Sequence, residues 1–164
     1  MLLDLRTIID VPGGEKSFDY EPDMTDVPFG SIENFEAPPG AVGKVVNRAG
    51  VLTLTAEVDA MCLCVCARCL KEFTLPLNVP ITAYLVEKSD DDEQETDNYI
   101  ITNERIDLDE VLVSEFTLAV EERILCSDEC KGLCQKCGFD LNAGLCDCEK
   151  DIDPRLQKLA ELLE

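Results

Sequence analysis

Ten cysteines and no histidine occur in this 164-residue chain, and six of the cysteines crowd into CSDECKGLCQKCGFDLNAGLCDC, from Cys126 to Cys148. So dense a run of sulfur must be closed by disulfides, held by a metal, or kept as reactive thiols. Cys66-x-x-Cys69 and Cys134-x-x-Cys137 have the spacing that lets two sulfurs reach one tetrahedral ion from a tight turn. Gly138 follows the second of these pairs, where a left-handed backbone aims N–H groups at the thiolates. Cys126-x3-Cys130 and Cys146-x-Cys148 are the remaining pairs.

Compartment bears on the choice. The opening MLLDLRTIID places Asp4 and Arg6 where a secretory signal would carry its apolar stretch. The longest uncharged run, FTLPLNVPITAYLV, has 14 residues and two prolines, short of the ~20 apolar residues of a spanning helix. A soluble, cytoplasmic protein is expected, which disfavours disulfides. A redox Cys-x-x-Cys would want a thioredoxin-like βαβ setting. Iron–sulfur ligation is a third alternative, but the tetrahedral spacing favours structural zinc. Eight cysteines make two all-Cys sites. Cys134, Cys137, Cys146 and Cys148 close a local loop, and Cys66 and Cys69 are left to pair with Cys126 and Cys130. A zinc with four Cys ligands has no open position for water or substrate, which points to scaffold rather than catalysis.

The formal charge is −21. Residues 123–164 hold six Lys/Arg against nine Asp/Glu, and residues 1–122 hold eight against 26. Most of the chain therefore repels phosphate backbones. Arg68, Lys131 and Lys136 lie beside cysteines and partly compensate the thiolates. Without histidine there is no Ser-His-Asp or Cys-His pair, and no Gly-rich phosphate loop is present. An enzyme is not expected.

From Gly40 onward VGKVVNRAGVLTLTAEVDAMCLCVC reads as two strands with a turn near Asn47–Gly50. Leu52, Leu54, Ala56, Val58, Ala60, Cys62, Cys64 and Cys66 share one face at period two; Cys62 and Cys64 are read as small core residues. Alternation restarts after CARCLK with Phe73, Leu75, Leu77, Val79, Ile81, Ala83 and Leu85. Pro76 and Pro80 fall on the opposite parity, as on an edge strand. Residues 1–40 show weak strands, 87–98 a charged loop, and YIIT a short strand. Asp107 is expected to cap a helix whose apolar stripe is Leu108, Leu112, Phe116 and Ala119. A second helix is expected in DPRLQKLAELLE, capped by Asp153 with Pro154 first and Leu156, Leu159, Leu162 and Leu163 inward. The expected class is α+β: an antiparallel β-sheet with a long hairpin, two helices and a Cys-rich zinc-knuckle insert. One structural domain is expected, with an acidic β-rich body at 1–122 whose helix spans about 107–122. The zinc-binding segment would take 123–150, and a C-terminal helix at 151–164 would pack on the body.

CARCLKEF, IDLDEVLVSEFTLAV, CSDECKGLCQKCGFDLNAGLCDC and DIDPRL occur in this order, and together they resemble the YceD family, the large ribosomal RNA subunit accumulation proteins. The likeness is to the cysteine-rich form found in Gram-positive and related bacteria, and it covers roughly residues 40–160. Gln135 stands where the family commonly has Pro, and LAVEER where it often has LALP. The resemblance implies a cytoplasmic bacterial factor supporting synthesis, processing or stability of large-subunit ribosomal RNA, with no membrane or small-molecule substrate. It also implies a gene often beside that of a small basic ribosomal protein. Family branches that lack the second cysteine module keep the C-x-R-C turn with a later Cys/His pair, consistent with joining Cys66 and Cys69 to Cys126 and Cys130.

Three roles follow. The acidic face engages a basic large-subunit ribosomal protein or pre-ribosomal particle; or Arg68, Lys71, Lys131, Lys136, Arg155 and Lys158 bind RNA directly; or the zinc-stabilised protein is an adaptor for an RNA-processing enzyme. The first is favoured, because six basic residues scattered among acids make a poor phosphate track.

Overall fold

The long alternating stretch of the sequence becomes the spine of the fold. In the structure, a computed structural model that describes residues 1–25, 27, 29–87 and 98–148, β5 (Val51–Val65) and β6 (Glu72–Glu87) form one antiparallel hairpin. Pairing runs from Val65 opposite Glu72 to Leu52 opposite Leu85. From Leu52 to Cys66 the even-numbered residues of β5 are buried, as are the odd-numbered residues of β6 from Val79 to Leu85. β4 (Gly40–Arg48) returns along the other edge of β5 through a two-residue turn. Ala49 and Gly50 both have positive φ, 53° and 92°, the combination whose twist matches antiparallel strands. Asn47, almost fully buried, locks this turn: its Oδ1 accepts from Gly50 N, and its Nδ2 donates to the carbonyls of Ile8 and Ile9.

β2 (Glu15–Tyr20) pairs with β4, and β3 (Ile32–Phe35) pairs with β5 at Cys62–Cys64, beyond the point where β4 stops. The six-stranded sheet has the order β2-β4-β5-β6-β7, with β3 beside β5. β7 (Tyr99–Ile101) runs parallel to β6 at Leu85–Glu87, so the sheet is mixed rather than antiparallel throughout. β1 (Leu2–Asp4) and β8 (Arg105–Asp107) make a separate two-stranded sheet. Among the described residues β6 pairs with β7 only at its end, and no strand pairs with its outer edge over Pro76 and Pro80, residues with no N–H to donate.

α1 (Leu108–Ala119) starts where Asp107 accepts a hydrogen bond from Asp109 N. Its buried face is Leu108, Val111, Leu112 and Phe116; Ala119, expected on that stripe, is exposed. The helix stops at Ala119, short of the expected end near 122, and Val120 packs against the core from extended backbone. Phe116 packs edge-on against Phe29 and Phe35, with centroids 5.4 and 6.3 Å away.

The two-helix α+β expectation is corrected. The regular structure of the described residues is mostly strand, eight strands against one helix, with β1, β2 and β3 formed where weak strands were expected at 1–40. The second expected helix, at 151–164, lies outside the described residues, as does most of the acidic run at 87–98. No helix among the described residues is long and apolar enough to cross a membrane.

Candidate metal centres

The turn of the β5–β6 hairpin is a knuckle. Cys66 N donates to Lys71 O at 3.0 Å and Leu70 N to Cys66 O at 2.9 Å. The same pair of bonds recurs in the second module, where Cys134 N donates to Phe139 O and Gly138 N to Cys134 O, both at 2.8 Å. Gly138 has φ 72°, and Leu70, at the equivalent place, has φ 59°. CARCLK and CQKCGF thus fold alike, each turning its two sulfurs to one side.

A clamp on the body delivers the partners of the first knuckle. After α1 the chain passes Ser31, whose Oγ donates to Glu122 O and accepts from Ile124 N. Ser31 O in turn accepts from Val65 N, and Ile124 O from Ala67 N. These bonds carry Cys126 and Cys130 to the hairpin tip. The sulfurs of Cys66, Cys69, Cys126 and Cys130 all lie within 4.8 Å of one another. Cys66 and Cys130 are 3.7 Å apart, as are Cys69 and Cys126. A disulfide requires about 2.05 Å, and all ten cysteines are free. Four sulfurs about 2.3 Å from a central ion lie about 3.8 Å from each other, so the spacing fits a tetrahedral thiolate site. Cys66, Cys69 and Cys130 are buried and Cys126 is half-buried.

Cys134, Cys137, Cys146 and Cys148 form the second group, also within 4.8 Å. It is more open, with Cys137 exposed and the others half-buried. The second module seats against the first. Leu133 N donates to Arg68 O, and Gly132, at φ 72°, approaches so closely that an added Cβ would lie 2.9 Å from the same oxygen. Asn142 bridges the two: its Oδ1 accepts from Lys131 N, and its Nδ2 donates to Cys130 Sγ at 3.5 Å. Such contacts to a ligand atom orient it and tune its basicity.

In each quartet the surroundings pull one thiol down and push another up. Burial pushes the Cys66 thiol up, but N–H groups of Cys126, Cys69 and Arg68 outweigh it and bring its pKa to about 6. At Cys134 the N–H groups of Cys137 and Lys136 do the same, also to about 6. Cys126 is pushed up to about 12 by burial and by its neighbouring sulfurs, and Cys148 to about 12 by its hydrogen bond with Cys137 and by burial. A divalent cation at the centre lets all four ionise together. Cys62 and Cys64 lie away from both groups in the core; burial raises both thiols, Cys62 to about 11.

The basic residues considered for RNA contact do not share one setting. Arg68 spends its guanidinium on the carbonyls of Cys130 and Asp128, at 2.9 and 3.4 Å. Lys71, Lys131 and Lys136 are exposed, and Arg155 and Lys158 lie outside the described residues. Ser31 and Asn142 were not singled out from the sequence, where nothing marks a lone Ser or Asn as the neighbour of a distant cysteine.

The family model described as large ribosomal RNA subunit accumulation protein YceD matches residues 54–163. Uncharacterized proteins of Mycobacterium tuberculosis and Mycobacterium bovis are 32% identical over 117 residues, an alignment covering 70% of this chain and 56% of theirs. The chain thus spans about half the length of the curated relatives it matches. No solved structure matches it.

Proposed function

The chain belongs to the YceD family, and from that membership we propose that it is a non-enzymatic ribosome-biogenesis factor, supporting large-subunit ribosomal RNA by engaging a basic ribosomal protein or assembly intermediate. The observation that carries the choice of partner is charge. The chain bears −21 overall, and such a field attracts basic proteins while repelling RNA. Its cations are partly spent at home: Arg6 pairs with Asp4, Lys44 with Glu15, and Arg68 ties the first knuckle to the carbonyls of Asp128 and Cys130.

The quartets Cys66/Cys69/Cys126/Cys130 and Cys134/Cys137/Cys146/Cys148 are read as the ligands of two structural zinc ions. Zinc supplies cross-linking here, with four thiolates leaving no position for a substrate. The first site would pin the hairpin tip to the chain after α1, and the second would close the 134–148 loop.

A competition experiment tests the partner. The purified protein is mixed with basic large-subunit ribosomal proteins and with large-subunit RNA fragments at physiological salt. Capture of a ribosomal protein that survives added RNA is expected. Tight binding of RNA fragments by the isolated protein overturns the reading in favour of direct RNA contact.

A further inference from the structure

The sheet has two faces, and α1 packs into the core on one of them. The odd-numbered side chains of β5 point the other way, and register sets their neighbours. Asp19, Val42, Glu57 and Pro80 make one cross-strand row, and Asp59 and Asn78 lie in the next. Met61 then stands beside Pro76, Leu63 beside Thr74, and Val65 beside Glu72. A solvated sheet face is ordinarily polar at its outward positions. Here Val42, Met61, Leu63, Pro76 and Pro80 are all exposed. Met61, Leu63 and Pro76 adjoin one another, so the apolar surface is a patch rather than scattered single residues. Acids are interleaved with it. Asp19, Glu57, Asp59 and Glu72 lie in these rows, and Glu36 reaches them through the hydrogen bond it accepts from Thr74 Oγ1 at 3.2 Å. Among the described residues these rows hold no Lys or Arg. Lys44, one row further, is paired with Glu15, and Arg48 stands at the far end, opposite Val51.

We propose that this outward face is the docking surface for a Lys/Arg-rich amphipathic helix of a large-subunit ribosomal protein, whose apolar stripe seats on Val42, Met61, Leu63 and Pro76. The inference deepens the reading of a basic ribosomal partner and rests on it. Charge selects the occupant, because apolar contact area set among carboxylates repels RNA and favours Lys and Arg. A second copy of a chain with charge −21 is repelled as well. The prolines select the face over the edge. Pro76 and Pro80 bar a strand from pairing along β6 there, so a partner lies across the face, as α1 does on the other side. Size agrees. From Glu57 to Val65 β5 rises about 27 Å, and three strands side by side are about 14 Å wide. A helix is about 10–12 Å across and covers that length in about 18 residues. Cations flanking its stripe then meet Glu57, Asp59 and Glu72.

The test uses the full chain and purified basic large-subunit ribosomal proteins, each titrated singly at physiological salt. Met61→Glu with Leu63→Glu is the telling variant, since it adds negative charge while removing the apolar patch. It should bind the captured ribosomal protein about tenfold more weakly than the wild type, or worse. Glu57→Gln with Asp59→Asn should weaken binding about three- to tenfold and make it less sensitive to salt. Glu110→Gln with Glu121→Gln removes two charges on and after α1, on the other face, and should leave affinity within about twofold. Unchanged amide exchange in β5 and β6 shows that each variant is folded. If the wild type captures no basic ribosomal protein, the reading of the partner fails, and this inference with it. If capture occurs but the Met61 and Leu63 variant binds as tightly or more tightly, the partner stands and the surface is wrong. The surface is equally wrong if the wild type is a dimer that this variant dissociates, or binds large-subunit RNA fragments that this variant releases.

Discussion

Leu70 occupies in the first knuckle the place that Gly138 occupies in the second, and both have left-handed backbone. A side chain there costs roughly 1–2 kcal/mol, and Leu70 recovers little of it, being 65% exposed. Leu70→Gly should therefore raise stability by about 0.5–1 kcal/mol, after the greater freedom of glycine in the unfolded chain is subtracted. A denaturant midpoint measures it; a lower midpoint would mean that the leucine side chain makes a contribution its exposure does not suggest. Asp109 offers a second test. Burial would raise its pKa, but the Met1 ammonium, Tyr20 Oη and Asp23 N all donate to it, and the net shift is downward. A carboxyl whose folded pKa lies below its unfolded value near 3.8 stabilises the fold above that value and ceases to do so as pH falls through the folded one. Asp109→Asn should lower stability at pH 7 by about 1–2 kcal/mol and flatten the fall of stability below pH 4. Parallel stability curves for the two proteins in acid would rule this out.

At the scale of elements, the hairpin is the part most plainly written in the sequence. Residues 52–60 and 73–85 alternate without a break, and a one-residue slip would turn Leu52, Leu54, Val58, Val79, Ile81 and Leu85 to solvent, so register follows from pattern. The helix start is equally local, since Asp107 needs only its own turn. The parallel placement of β7 is not local: YIIT marks a strand, but nothing in four residues says which edge it takes. The same holds for Ser31, which links the end of α1 to the hairpin across 91 residues. Within the candidate sites, the Cys-x-x-Cys turns are legible because their bonds close within six residues. The bridge from Asn142 to Cys130 exists only once the modules have met. The first quartet draws on two elements, and a substitution separates its role from the core's. Cys69→Ser should loosen the hairpin tip and residues 123–130 together, seen as faster amide exchange, while the 134–148 group keeps its ion. Cys62→Ala should leave the metal count unchanged in native mass spectrometry, since Cys62 is in the core. Loss of both ions from the Cys69 variant, or of neither, would refute the grouping.

At the scale of the molecule, an acidic body is joined to a compact cysteine-bearing end whose two groups differ in access. Three of the four sulfurs in the first group are buried, and the group is anchored to β5, β6 and the chain after α1. The second has one exposed sulfur and three half-buried ones, and its loop rests on the first through Gly132, Leu133 and Asn142. A chelator must displace thiolates in turn, and attack is easiest where solvent already reaches them. Because metal binding is linked to local folding, a protein carrying the two zinc ions proposed above should lose them in order. Rising chelator should first remove one ion and free the amides of 134–148 while β5 and β6 stay protected. Only then should the second ion leave and the hairpin tip open. The first loss should also speed the second by up to 10–100-fold, because Asn142 then no longer holds Cys130 Sγ. Native mass spectrometry combined with hydrogen exchange resolves the two stages. Simultaneous release, or opening of the hairpin tip before the 134–148 loop, would show that the groups are not the nested pair their burial implies.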